Sequence, residues 1–144
     1  MNIDWVIPCR YVEVHDNLGT IIGAGIDTTW VPELPAPIAV VIAIRLLAMA
    51  EELDGSDEHI TANRVRDPNG DVISELSFPF GFGGGESAKP EWLTGIMVSS
   101  LVQFEATEEG TYTIEHEVDG STKAFPMHVV LGPLPGAGES EAEE

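Results

Sequence analysis

The run from Ile38 to Leu47 is the feature that most limits what this chain can fold into. Apolar residues occupy nearly every position on both of its alternating faces, and many of them are β-branched. Such residues pack well on a pleated surface, and a strand that is apolar on both faces has to be covered on both sides. The run is too short and too β-branched to favour a helix. It predicts a central β-strand, entered from a connection at 32–37 that contains three prolines.

Two turn sequences predict antiparallel hairpins. Asp67-Pro68-Asn69-Gly70 combines a proline, which presets φ, with an Asn-Gly pair, which reaches positive φ. Asp119-Gly120 is the second such signal. Each turn lies between runs whose apolar and polar residues alternate, as expected of half-buried strands. The paired runs are 59–66 with 71–80 and 111–118 with 122–131.

The remaining segments complete an all-β pattern with no alternating strand–helix units. Three more strands are predicted at 5–14, 20–30 and 92–104, with Pro8 at an edge or a bulge. The acidic segment 48–58 has room for one short helical turn, and 81–90 is a glycine-rich loop. Gly23 and Gly25 indicate a bulge or a close backbone contact. The expected fold is an antiparallel immunoglobulin-like β-sandwich of about seven strands.

The chain length fits one domain. We expect the sandwich to occupy residues 1–131 and a flexible, disordered acidic tail to occupy 132–144. The segment Glu108–Ile114 resembles the tyrosine corner of immunoglobulin-like domains, in which the tyrosine hydroxyl, here Tyr112, bonds back to the backbone. Ile114 stands where antibody domains have a cysteine. The resemblance therefore concerns architecture, and it implies neither a disulfide nor a function.

Residues spread over nearly the whole chain carry a second resemblance, to an uncharacterised family of short actinobacterial proteins, a domain of unknown function. It implies a soluble bacterial domain without an established activity, and it carries over no catalytic residues. The matching residues are Trp5, Cys9, Glu13-Val14, Asn17-Leu18, Gly23, Gly25, Asp27, Trp30, 31–35, 66–70 and 110–118.

Charge and composition exclude several classes of function. Six basic residues stand against 25 acidic ones, for a net charge of −19, so the positive surface that binds a nucleic-acid backbone is missing. The sequence has no secretion signal and no uninterrupted apolar span, so no membrane association is expected. Cys9 is the single cysteine, which fits a reducing compartment. These features predict a cytoplasmic protein.

No motif predicts catalysis or a cofactor. The glycines at 81–85 lack the Gly-Lys-Ser/Thr ending and the strand–loop–helix context of phosphate-binding loops. Cys9 has no nucleophile signature around it, and no serine occupies a Gly-x-Ser-x-Gly elbow. The four histidines lack the close spacing of zinc ligands, although His116 and His128 would face each other in one register of the last hairpin. We therefore expect no enzyme and no cofactor.

Acidic residues form two concentrations. Five carboxylates lie within 51–58. This segment is expected to be a solvated acidic loop. The alternative is a calcium site, which the spacing of the carboxylates favours less. The second concentration surrounds the last hairpin. There Glu115 and Glu117 are expected to point outward, where they would either discourage edge-to-edge pairing or dock a basic partner.

The three tryptophans Trp5, Trp30 and Trp92 are expected mainly to pack, with Trp30 and Trp92 fixing loops to the sandwich. The sequence as a whole favours a non-catalytic protein-interaction or assembly module, acting on a protein partner or by self-association. Its candidate contacts are Trp30, Trp92, Glu115 and Glu117. One alternative is an acidic decoy that occupies a basic or nucleic-acid-binding site. A calcium-dependent module or an enzyme that uses the acidic loop is the least favoured alternative.

Overall fold

The computed structural model describes residues 1–55, 57–82 and 89–133. The predicted loop at 81–90 and the predicted tail at 132–144 lie mostly outside these ranges. The strands are β1 (Asn2–Cys9), β2 (Tyr11–His15), β3 (Leu18–Ile22), β4 (Thr28–Val31), β5 (Ala36–Ala48), β6 (His59–Arg66), β7 (Val72–Phe80), β8 (Thr94–Ala106), β9 (Gly110–Val118) and β10 (Ser121–Leu131). A 3₁₀ helix spans Ala50–Leu53.

The strands form a three-stranded sheet, a five-stranded sheet and a separate hairpin. The first has the order β1-β5-β8, the second β4-β10-β9-β6-β7, and the hairpin pairs β2 with β3. Pairing is antiparallel except between β4 and β10, which run parallel. The all-β prediction is confirmed. The prediction of about seven antiparallel strands was wrong, because the structure described here has ten strands and one parallel pair.

The inner faces of the two larger sheets share one apolar core. Ile42, Ile44 and Leu46 from β5 are buried in the same cluster as Tyr112 and Ile114 from β9. β5 lies between β1 and β8, which confirms the prediction of a central strand at 38–47. The even-numbered side chains of β5 from Ala36 to Leu46 belong to this cluster, so they mark the face of the sheet that points into the core.

Both predicted hairpins are confirmed. β6 pairs with β7 across a turn in which Oδ1 of Asp67 accepts hydrogen bonds from the backbone N–H groups of Asn69 and Asp71, each at 2.9 Å. β9 pairs with β10, with Glu115 opposite Ala124. Asp119 has a φ of 49°, a conformation that Asp and Asn adopt more readily than most residues.

Two of the predicted strands were wrong, because each is divided in two. The run 5–14 breaks at Arg10, and the run 20–30 breaks between β3 and β4. The backbone turns sharply there: Gly23 has a φ of 64°, and Gly25 donates its N–H to the carbonyl of Pro8 at 2.8 Å. The predicted close backbone contact at these glycines is thus confirmed. It lets the chain leave the small hairpin and join the five-stranded sheet.

Pro8 lies on the edge strand β1, as predicted, although the bulge of that strand falls between Ile3 and Trp5. The short helical turn predicted in the acidic segment is confirmed as the 3₁₀ helix. The ring of Tyr112 is fully buried, and its hydroxyl donates to the carbonyl of Glu108 at 3.0 Å. The same hydroxyl accepts the backbone N–H groups of Thr107 and Glu108. This contact fixes the connection between β8 and β9.

Candidate functional site

β8 is an edge strand of the three-stranded sheet, so one side of its backbone has no partner strand. At one end of this edge the side chain of Asn17 donates to the carbonyl of Gly95 at 2.6 Å and accepts the N–H of Met97 at 2.7 Å. At the other end the hydroxyl of Ser74 donates to the carbonyl of Gln103 at 3.2 Å. Since residues of an antiparallel strand alternate between facing the partner strand and facing away, these contacts fix the direction of the groups between them.

The backbone groups of Ser99 and Leu101 therefore point away from β5. The pairing of β5 with β8 has no register shift, so the alternation continues unbroken from Met97 to Gln103. This stretch spans roughly 20 Å at the rise of a β-strand. We call it the β8 edge. It is a row of backbone donors and acceptors between two side-chain contacts.

Within the described residues, the other three edges of the two larger sheets are protected. β1 has a proline and a bulge, and β4 is four residues long. β7 carries Glu75 and Pro79. Short strands, prolines, bulges and charges are the usual means by which edge strands avoid pairing with other chains. The β8 edge, from Met97 to Gln103, contains neither a proline nor a charged residue.

Beside the β8 edge, the inner face of β7 extends past the opposite sheet. Leu76 and Phe78 stand opposite the buried residues Asn63 and Thr61 of β6, so they lie on the inner face. Nevertheless, 57% of Leu76 and 41% of Phe78 remain exposed. The three-stranded sheet therefore ends before it covers β7.

A slot of about 200 Å³ opens between these two sheet edges. It lies over the core, and its lining is mainly apolar. We call it the β7–β8 slot. Its lining residues are Ile44, Leu46, Thr61, Phe78, Phe80, Val98, Ser99, Ser100, His116 and Val118.

Three polar side chains form a chain of hydrogen bonds at this slot. Nδ2 of Asn63 donates to the hydroxyl of Ser100 at 2.9 Å, and Oδ1 of Asn63 is 2.7 Å from Nδ1 of His116. With the amide oxygen on the histidine side, Nδ1 is the protonated nitrogen and donates. Burial lowers the pKa of His116 to about 4, so the ring is neutral at physiological pH.

The pKa of His59 is shifted in the opposite direction from that of His116. Its Nδ1 lies 2.7 Å from Oδ2 of Asp119, and its Nε2 lies 2.9 Å from the carbonyl of Glu52. Burial by itself lowers the pKa of His59, but the bonds to Glu52 and Asp119 outweigh burial, and the pKa is raised. A ring with acceptors on both nitrogens is stabilised as the charged imidazolium. We interpret His59 as a structural tie between the 3₁₀ helix and the last hairpin.

Glu115 and Glu117 lie on the outer face of β9, and both contact Arg64. Arg64 also bonds Glu75 at 2.8 Å, and Arg66 bonds Glu115 at 3.0 Å. The prediction that the two glutamates protect a sheet edge was wrong, because β9 lies inside its sheet between β10 and β6. Their role as partner contacts stays a prediction, and they would meet a partner as members of this ion-pair network.

Trp30 and Trp92 lie on different elements. Trp30 belongs to β4 and lines a cleft of about 510 Å³ together with Cys9, Arg10 and Ile38. Trp92 precedes β8 and is 52% exposed, with Nζ of Lys89 5.0 Å from the centre of its ring. The expectation that Trp92 packs was therefore wrong. Of the four predicted contacts, the structure brings Glu115 and Glu117 together, through Arg64.

The structure also shows where the histidines, the cysteine and the acidic segment considered in the sequence analysis lie. Lys123 stands opposite His116 and Thr111 opposite His128, so the last hairpin does not pair the two histidines. Cys9 is buried, and burial raises the pKa of its thiol. In the acidic segment, Oε2 of Glu52 accepts the N–H of Met49 at 2.8 Å. Within residues 1–55, 57–82 and 89–133, no three His, Cys, Asp or Glu side chains are grouped so as to hold a metal ion.

Sequence reasoning missed the β8 edge and the Asn63–His116 pair. One signal was available for the pair: His116 alternates with Tyr112, Ile114 and Val118, which places it on the inner face of β9. Nothing in the sequence indicated the hydrogen bonds by which Asn17 caps one end of the β8 edge. Their partners, Gly95 and Met97, lie 78 and 80 positions further along the chain.

The described chain thus defines an all-β protein with two packed sheets and a separate hairpin, and β8 is the unprotected edge strand of the two packed sheets. It belongs to DUF6941, a family of unknown function, whose profile matches residues 4–130. No curated protein and no solved structure matches the chain. None of the helices in the described ranges has the length and apolar character needed to cross a membrane.

Proposed function

We propose that this protein is a non-catalytic interaction module that binds an extended segment of a partner along the β8 edge. The observation that carries the proposal is the row of outward backbone groups at Ser99 and Leu101, bounded by the contacts of Asn17 and Ser74. A peptide that pairs with such an edge gains main-chain hydrogen bonds, and alternate side chains give specificity. The length of the edge suits a guest strand of about five residues.

The neighbouring surface supports an apolar guest with basic flanks. Side chains on the inner side of the guest would cover Leu76 and Phe78 and reach the β7–β8 slot. The net charge of −19 favours a basic partner and opposes a second copy of the chain. We therefore favour a heterologous partner over self-association.

A displayed library of short random peptides tests this proposal. We expect selection on the protein to enrich peptides with alternating apolar residues and flanking lysine or arginine. Leu101→Pro removes an N–H that points away from β5, so it should leave the sheet intact and weaken peptide binding at least about tenfold. Leu101→Thr keeps the N–H and serves as the matched control. Peptides that bind the Leu101→Pro protein as tightly as the wild type would exclude the β8 edge.

An acidic decoy remains the second candidate, and the arginine contacts favour it. Arg45, Arg64 and Arg66 each bond a carboxylate of the same chain, so these basic residues do not offset the acidic surface elsewhere. Binding to polylysine that persists at physiological ionic strength and after removal of 132–144 would support this candidate. Loss of binding at that ionic strength would indicate nonspecific attraction.

Finer features of the fold and setting are part of the same proposal. The hydroxyl contact of Tyr112 with the backbone of Thr107 and Glu108 supports an immunoglobulin-like grouping. A cytoplasmic setting is supported by the single, buried cysteine. The absence of a catalytic motif from the sequence supports a binding role over an enzymatic one.

A further inference from the structure

The β7–β8 slot contains a hydrogen-bond acceptor that the fold does not use. His116 is 2% exposed and forms its one hydrogen bond within the described chain through Nδ1, to Asn63. Every fully buried side-chain nitrogen or oxygen in these residues has a partner. Nε2 of His116 has none, so it is not sealed in the core. His116 lines the slot and its Nδ1 is bonded to Asn63, so Nε2 is the ring nitrogen left for a molecule in the slot.

The protonation of the ring defines what Nε2 can bind. Nδ1 carries the proton that is shared with Asn63, so Nε2 presents a lone pair. The neighbouring Thr61 already donates its hydroxyl to the carbonyl of Glu117 at 3.1 Å. The rest of the wall is largely apolar. An apolar pocket with a single placed polar group is the usual form of a small-molecule site.

We propose that the β7–β8 slot binds a small, largely apolar molecule that carries one hydrogen-bond donor, and that Nε2 of His116 accepts from this donor. The volume of about 200 Å³ suits a ligand of one or two rings, of the class of a phenol or an indole. This inference does not require a peptide on the β8 edge. The two sites are neighbours, however, because Val98, Ser99 and Ser100 belong to both.

Titration with phenol and toluene, followed by calorimetry or by backbone amide shifts, tests the inference. The two probes have similar shapes, and only phenol has a donor. We expect the ratio of phenol to toluene affinity to fall about threefold to tenfold in His116→Phe, because the acceptor is lost. In the wild type, the largest changes in backbone amide chemical shift should occur at Val98, Ser100 and His116. An unchanged ratio would overturn the role of Nε2.

Two further variants keep the test decisive. Val98→Phe narrows the slot without touching the Asn63–His116 pair, so it should weaken both probes together, even if His116→Phe does not fold. Leu101→Pro alters the β8 edge but not the lining of the slot, and it should bind both probes as the wild type does. If neither probe binds the wild type, or if Val98→Phe binds both unchanged, the slot is not the site. Neither result would bear on peptide binding, which Leu101→Pro tests separately.

Discussion

Nδ1 of His59 lies 2.7 Å from Oδ2 of Asp119, and this contact joins the start of β6 to the turn of the last hairpin, 60 residues away in sequence. The same carboxylate accepts the N–H of Ile60 at 3.1 Å. Burial raises the pKa of Asp119, but the hydrogen bonds from Ile60 and His59 outweigh it, and the pKa is lowered. The pKa of one buried histidine, His59, is therefore raised, while that of another, His116, is lowered.

Replacing the carboxylate at this contact should show how much the His59–Asp119 contact contributes to stability. Asp119→Asn preserves the left-handed turn, since Asn also accepts a positive φ. We expect a loss of about 1–3 kcal/mol in the free energy of unfolding at pH 6. Because the pKa of His59 is raised, its contribution is present below its unfolded pKa and fades as the pH rises through the folded value. The loss should therefore be smaller at pH 9.

Urea unfolding at the two pH values measures this effect. Asp71→Asn removes the same charge from an exposed position and should change stability little. Equal losses for the two variants would show that the His59 contact contributes nothing beyond general charge.

The neutral histidine should give the opposite dependence on pH. Below about pH 6.5 the unfolded chain binds a proton at His116, while the folded protein resists protonation until the pH nears 4. Stability should therefore decrease as the pH falls through this window, by about 1.5 kcal/mol between pH 6.5 and 5. This decrease should be absent from His116→Phe. Urea unfolding of both proteins at these pH values isolates the contribution of His116. If the free energy of unfolding changed equally with pH in both proteins, the prediction would be wrong.

The hydroxyl of Tyr112 should contribute measurably to stability. Tyr112→Phe keeps the ring beside Phe104, whose centre lies 5.2 Å away, but it loses the bonds to the backbone at Thr107 and Glu108. We expect a loss of about 1–2 kcal/mol by thermal or urea unfolding. The matched control is Tyr11→Phe, because the Tyr11 hydroxyl contacts Glu13 on the surface. A similar small effect for both variants would contradict the prediction.

Removing the cap on the β8 edge should promote association between chains. Asn17→Gly preserves the positive φ of 62° but removes the side chain that bonds Gly95 and Met97. Lengthening an unpaired edge exposes more backbone to other strands. We expect a larger light-scattering signal on concentration, together with a stability loss of about 1–2 kcal/mol. Asp16→Gly, in the same turn, is the control. Equal scattering by both variants would mean that the cap does not protect the edge.

The parts of the fold that follow from local sequence could be predicted. The hairpins depend on turns whose residues are adjacent, and β5 depends on its own apolar alternation. The strand breaks at Arg10 and between β3 and β4 could not be predicted, because strand propensity continues across them and tertiary pairing decides where each strand ends.

Less of the candidate site could be predicted from the sequence, because it too depends on tertiary pairing. Glu115 was correctly expected on an outer face, but whether its strand is internal depends on where β6 docks. The β8 edge exists because β8 is the last strand of its sheet, which leaves the inner face of β7 partly exposed. That is a property of sheet order, and the sequence of β8 alone does not contain it.

The parallel pairing of β4 with β10 sets an order of events during synthesis. Thr28 pairs with His128, so the residues of β4 leave the ribosome about a hundred positions before their partner exists. Loop closure over such a separation is slow compared with the formation of a hairpin. The five-stranded sheet can therefore be completed only when translation has passed β10. Until then Trp30 and the rest of β4 have no partner strand in this sheet.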